Sequence, residues 1–92
     1  MGLSDRDHIG LIRDILKAHH LDGAASQSEY EQLYRTTKRL LDGHRAGQAD
    51  AATLQAIHDY SAKAIPLSAY DEHLSENKSN LETWINRLDA FV

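Results

Sequence analysis

The sequence contains no cysteine, one proline, five glycines and a single valine. Without cysteine there are no disulfides, iron–sulfur clusters, thiolate zinc sites or thiol nucleophiles. Proline and glycine are too scarce for a collagen-like or low-complexity chain. No stretch approaches the roughly 20 apolar residues needed to cross a bilayer, and the opening MGLSDRDHIG is charged where a signal peptide is apolar. A cytoplasmic location without membrane contact is therefore expected. Excess positive charge is also missing, because 10 Lys and Arg stand against 14 Asp and Glu, for a net charge of −4. That balance opposes binding to a phosphate backbone, so no nucleic-acid partner is expected. Charge is balanced as far as Ala46, and all the net negative charge falls in the second half. A small basic face gathers Arg35, Lys38, Arg39 and Arg45.

What is present is 92 residues, 41% of them hydrophobic, enough for one small domain spanning residues 1–92. A chain this short buries only about 60–65% of its unfolded surface, and oligomerisation is one way to supply the rest. Twelve Leu and twelve Ala against one Val indicate helix rather than strand. From a cap at Ser4 or Asp5, residues Ile9, Ile12, Ile15 and Leu16 line one helical face, and Leu21-Asp22-Gly23 supplies the stop. Gly10 weakens the early turns by about 1 kcal/mol relative to Ala. A second helix opens in SQSEYE, where Ser26 with Glu29 and Ser28 with Glu31 both have capping-box spacing. Its inward stripe is Tyr30, Leu33, Tyr34, Thr37, Leu40 and Leu41, and Asp42-Gly43 ends it. HRAGQA reads as a loop leading to a cap at Asp50. The third helix presents Ala51, Leu54, Ile57, His58 and Ser61 and stops at Ile65-Pro66, a rigid turn into the last segment.

Beyond Pro66, residues Leu67, Tyr70, Leu74, Leu81, Trp84, Leu88 and Phe91 alternate three and four apart, with Asn77 in the vacant seam position. The heptad spacing favours one helix of about 25 residues, roughly 37 Å long, whereas a helix of about 16 residues is roughly 24 Å. The competing reading breaks it at Ser79, where Ser79 and Glu82 form another capping box after the weakly helical SENKSN. The fold expected is all-α, a compact four-helix bundle with a long C-terminal helix. Such a helix overhangs its neighbours, leaving Leu74, Asn77, Leu81, Trp84 and Leu88 as a candidate interface, with Asn77 setting the pairing register.

Six histidines are unusual in so short a chain. His8, His19, His20, His44, His58 and His73 contain no pair three or four apart and no HExxH, so scattered surface histidines are expected, with no metal and no cofactor. No G-x-S-x-G, P-loop or paired carboxylates are present, and enzymatic activity is not expected. The tyrosines at 30, 34, 60 and 70 and Trp84 lie at core spacing. The segment AHHLDGAAS resembles the histidine-phosphotransfer motif. That resemblance implies His19 as phospho-acceptor, Leu21 as a core anchor and Gly23 as the small residue admitting a response regulator. Asp22 departs from it, because the motif has Lys there and a carboxylate opposes an incoming phosphoryl.

The length, the opening GLIRDILKAHHLD, the run SEYEQLYR and the closing NLETWINRLDAF together resemble the YtzH-like family of small uncharacterised bacterial proteins. This resemblance spans nearly the whole chain and implies a cytoplasmic helical protein of spore-forming bacteria, with no established activity. It also implies a Cys pair just after the position of Asp22, where this chain reads Gly23-Ala24, so no thiol role carries over. The function expected is a non-catalytic protein–protein interaction or self-associating module, a homo-oligomer or the partner of another protein. Histidine phosphotransfer through His19 is the alternative.

Overall fold

Ile9, Ile12, Ile15 and Leu16 recur at helical spacing, and Asp5–Asp22 accordingly forms α1 in the computed structural model, which describes residues 5–23, 25–42 and 51–90. All four are buried. The helix stops as expected, with Gly23 in the left-handed region at φ 62°, where the lack of a Cβ removes the steric penalty. Gly43, the HRAGQA loop, the Asp50 cap, Ser4, Ala24, Arg45 and Phe91 lie outside the described residues.

Helix α2 spans Gln27–Asp42. Of the two overlapping capping boxes, the chain uses the first. The Glu29 N–H donates to Ser26 Oγ at 3.2 Å, and the Ser26 N–H donates to Glu29 Oε1 at 3.1 Å. Ser28 therefore falls inside the helix. Ser26→Ala is expected to destabilise the protein by about 1 kcal/mol, read as a lower urea midpoint with an unchanged slope. Tyr30, Leu33, Thr37 and Leu40 are buried, with Tyr34 and Leu41 half-buried beside them. Helix α3, Ala51–Ala64, ends just before Ile65-Pro66, and the Leu67 N–H donates to the Ala64 carbonyl at 2.9 Å to close the turn.

The all-α bundle stands, but its C-terminal part is not one long helix. α4 covers Asp71–Glu76 and α5 covers Lys78–Asp89, with Asn77 between them at φ −102°, ψ 9°. The break falls at Asn77, two residues before the Ser79 alternative, and Ser79 sits inside α5 without capping it. Local chemistry explains the position. The Asn77 side-chain amide donates to the His73 carbonyl at 2.9 Å, and its oxygen accepts from Asn80 Nδ2 at 3.2 Å. Asn competes for backbone partners in this way, which is why it marks helix ends rather than interiors. Asn77 is thus a kink residue, not a buried register-setting seam residue.

The break removes the overhang. The protein's longest dimension is 33 Å, shorter than the roughly 37 Å of an unbroken 25-residue helix. α2 packs chiefly on α3, and α1 chiefly on α5. Residues 81, 84, 85 and 88 of α5 join the same core as Ile12 and Leu16 of α1, Tyr30 and Leu33 of α2, and Leu54 and Ile57 of α3. Burying an aliphatic or aromatic side chain of this size contributes about 1.5–3 kcal/mol. At the rim Arg13 donates to Asp89 at 3.2 Å and Lys17 lies 3.8 Å from the same carboxylate. These exposed pairs tie α5 to α1 at well under 1 kcal/mol each.

Candidate functional site

Helices α1 and α2 run antiparallel, which sets the last turn of α1 beside the first turn of α2 and brings His19 against Glu29 and Tyr30. His19 is 2% exposed. Its Nδ1 lies 2.9 Å from the Tyr60 hydroxyl of α3, which lies 3.2 Å from the Tyr30 hydroxyl. Its Nε2 has no hydrogen bond and faces Glu29 Oε1 at 3.6 Å. One assignment satisfies the chain of groups. Tyr30 donates to Tyr60, Tyr60 donates to Nδ1, and the remaining proton on Nε2 points at the carboxylate.

Desolvation holds the His19 imidazole below its usual value, partly offset by Glu29 and reinforced by His73, so the ring is neutral near pH 7. Burial also raises the phenols of Tyr30 and Tyr60, Tyr60 the more strongly. On the other side of Tyr60, His73 stacks on the ring at 4.7 Å and 13°. Its Nε2 lies 3.0 Å from the Tyr60 carbonyl, which only accepts, so Nε2 carries the proton. Trp84 closes the cluster with its ring 5.4 Å from that of Tyr60. Apart from His19 Nε2, which has no hydrogen bond, these side chains pair with one another and form a polar knot inside the core.

The candidate residues are placed accordingly. His19 offers no exposed nitrogen to a phosphoryl donor, and the nitrogen not bound to Tyr60 faces a carboxylate, which repels an anion. Leu21 is not a core anchor but is 74% exposed. Within the proposed interface, Leu81, Trp84 and Leu88 are buried in the monomer core, while Leu74 and Asn77 are half-buried. Nor are the histidines scattered on the surface. His19 and His73 are buried, His8, His20 and His58 are half-buried, and His44 lies outside the described residues. The signal for His19 was legible, since it continues the apolar stripe of Ile12 and Leu16 at helical spacing. His73 enters the core one turn before the kink at Asn77, beside the Leu74 position that the heptad marks.

Concave regions remain open among the described residues, and two of them are lined chiefly by polar side chains. One, of about 400 Å³, lies between α3 and the α4–α5 kink. Asp59, Lys63, Glu76, Asn77 and Asn80 rim it, with Tyr60 and Trp84 at its base. The other, of about 320 Å³, lies between α1 and α2 and is lined by His8, Gln32, Arg35, Thr36 and Arg39. The structure thus retains Arg35 and Arg39 from the basic face and separates Lys38, which pairs with Asp42 at 3.3 Å. Among the described residues no three His, Cys, Asp or Glu side chains are grouped so as to hold a metal ion, and no described helix is long and apolar enough to cross a membrane.

Comparison with known proteins places the chain in a family and adds no chemistry. The family model described as YtzH-like protein matches residues 3–88. An "Uncharacterized protein YtzH" from Bacillus subtilis (strain 168) is 31% identical over 91 residues, covering 99% of each chain. No solved structure matches. The chain belongs to the YtzH-like family.

Proposed function

We propose that this member of the YtzH-like family is a non-catalytic helical module of the cytoplasm that works by binding a protein, either another protein or a second copy of itself. One observation supports the reading above others. The side chains best suited to chemistry, His19, His73, Tyr30 and Tyr60, are spent on one another inside the core, which leaves exposed polar groups, those along the inter-helix grooves among them, as what a partner meets. Grooves lined by charged and amide side chains suit recognition, in which complementary charge selects the partner. Leu81 and Leu88 are buried within one copy, so contact with a second copy or another protein runs through a groove rather than a leucine seam.

The test uses three chains: the unmodified protein, Arg35→Glu with Arg39→Glu, and Asp59→Lys with Glu76→Lys. Each is assayed by light scattering and by capture from the native cell extract. The expected result is a second copy or a stoichiometric partner released by one of the two charge reversals while circular dichroism remains helical. A bare 10.3 kDa monomer that retains the same proteins in all three forms overturns the reading.

A further inference from the structure

Resting on the reading of the chain as a binding module, we propose that the α1–α2 groove binds a phosphate monoester dianion, held between Arg35 and Arg39 of α2 and His8 of α1. Gln32, Arg35, Thr36 and Arg39 fall at i, i+3, i+4 and i+7, so one face of α2 carries all four. The antiparallel pairing of α1 and α2 sets His8 against that face, and the resulting groove of about 320 Å³ accommodates a small phosphorylated group.

Three features separate this groove from an ordinary solvated charge run. It is concave and built from two helices. Its guanidiniums are uncommitted: among the described residues Arg35 and Arg39 form no ion pair, although Glu31 lies one turn before Arg35, whereas Arg13 pairs with Asp14 and Asp89. Finally, half-buried His8 brings an imidazole from α1 to the same groove.

The donor set fits the ligand. Each guanidinium presents N–H groups in a planar fork that matches two oxygens of a phosphate, an imidazole N–H supplies a third direction, and the Thr36 hydroxyl and Gln32 amide reach a tetrahedral group's remaining oxygens. Two fixed cations match a dianion better than a single carboxylate.

The test is a titration of the isotope-labelled full chain followed by NMR, with inorganic phosphate, a phosphoserine peptide and the same peptide unphosphorylated as probes. Sodium chloride at matched ionic strength is the control. Saturable shifts are expected at residues 8, 32, 35, 36 and 39 with both phosphorylated probes and not with the unphosphorylated peptide. Arg35→Gln with Arg39→Gln should weaken binding by about tenfold or more, equivalent to about 1.4 kcal/mol, and Lys78→Gln, an exposed position outside both grooves, should leave it unchanged. Both variants alter exposed side chains, and single Arg39→Gln serves as a milder second variant. Tighter binding of the phosphopeptide than of phosphate identifies a protein-borne phosphate, and equal binding a free one. Shifts reproduced by chloride, shifts spread over all basic residues, or unchanged binding by the double variant overturn the proposal. Absence of phosphate binding by the unmodified chain with its partner capture intact removes this inference alone, whereas absence of capture by the unmodified chain removes the module reading.

Discussion

Trp84→Ala is expected to lower the unfolding free energy by about 3–5 kcal/mol, the usual range for removing a buried aromatic side chain. The indole is 8% exposed and packs against Tyr60 at 5.4 Å. Its loss opens a cavity where α3 meets α5. Small domains hold about 5–15 kcal/mol in total, so much of the variant is unfolded in mild urea. The measurement is equilibrium denaturation at two protein concentrations. A residue inside a monomer core gives a midpoint independent of concentration, whereas a residue at a dimer interface gives one that rises with concentration. A loss below about 1 kcal/mol, or a marked concentration dependence confined to the unmodified chain, contradicts the core placement of Trp84. Trp84→Phe keeps a ring in the site and should lie between the two.

The buried knot around Tyr60 makes stability pH-dependent at both ends. His19 titrates below its ordinary 6.5 in the folded protein, chiefly through desolvation. The unfolded chain therefore binds its proton first. The contribution is fully present above about pH 6.5 and is lost as pH falls toward the lower folded value. Tyr30 and Tyr60 behave oppositely, because burial raises them above their ordinary 10.0. Their contribution is full below about pH 10 and is lost as pH rises further, since the unfolded chain ionises first. Stability should thus form a plateau between these limits. His19→Gln should flatten the acid limb. Tyr60→Phe should weaken the alkaline limb and lower stability throughout by about 1–3 kcal/mol, because it leaves His19 Nδ1 and the Tyr30 hydroxyl without their shared partner. Thermal melts across pH would show this, and an acid limb that persists unchanged in His19→Gln would exclude His19 as its source.

The clearest contrast between pattern and packing lies within the C-terminal segment. From Leu81 onward the spacing of Leu81, Trp84 and Leu88 names the buried face correctly, and Ile85 widens it. Before Leu81 the same heptad points to Leu67, Tyr70 and Leu74; Tyr70 and Leu74 pack half-buried against the core, Leu67 is exposed, and the fully buried residue is His73. Across the kink at Asn77 the buried face shifts by one residue, from Leu74 to His73. The groove shows the same division. Arg35 and Arg39 were visible as a basic face, but their separation from Lys38 depended on which cation finds a carboxylate, and the contribution of His8 depended on the pairing of α1 with α2.

Local chemistry therefore settled the helical class, the stop at Gly23, a cap at Ser26 or Ser28, the turn at Pro66 and most of the inward residues, because caps, turns and amphipathic stripes act over a few neighbouring positions. Only the packed structure decided that the last segment bends at Asn77, that its leucines shelter within one copy, that His19 and His73 are interior and that a cationic groove opens between α1 and α2. Those outcomes depend on which helices lie side by side, and residues distant in sequence become neighbours only when the chain closes around a common core.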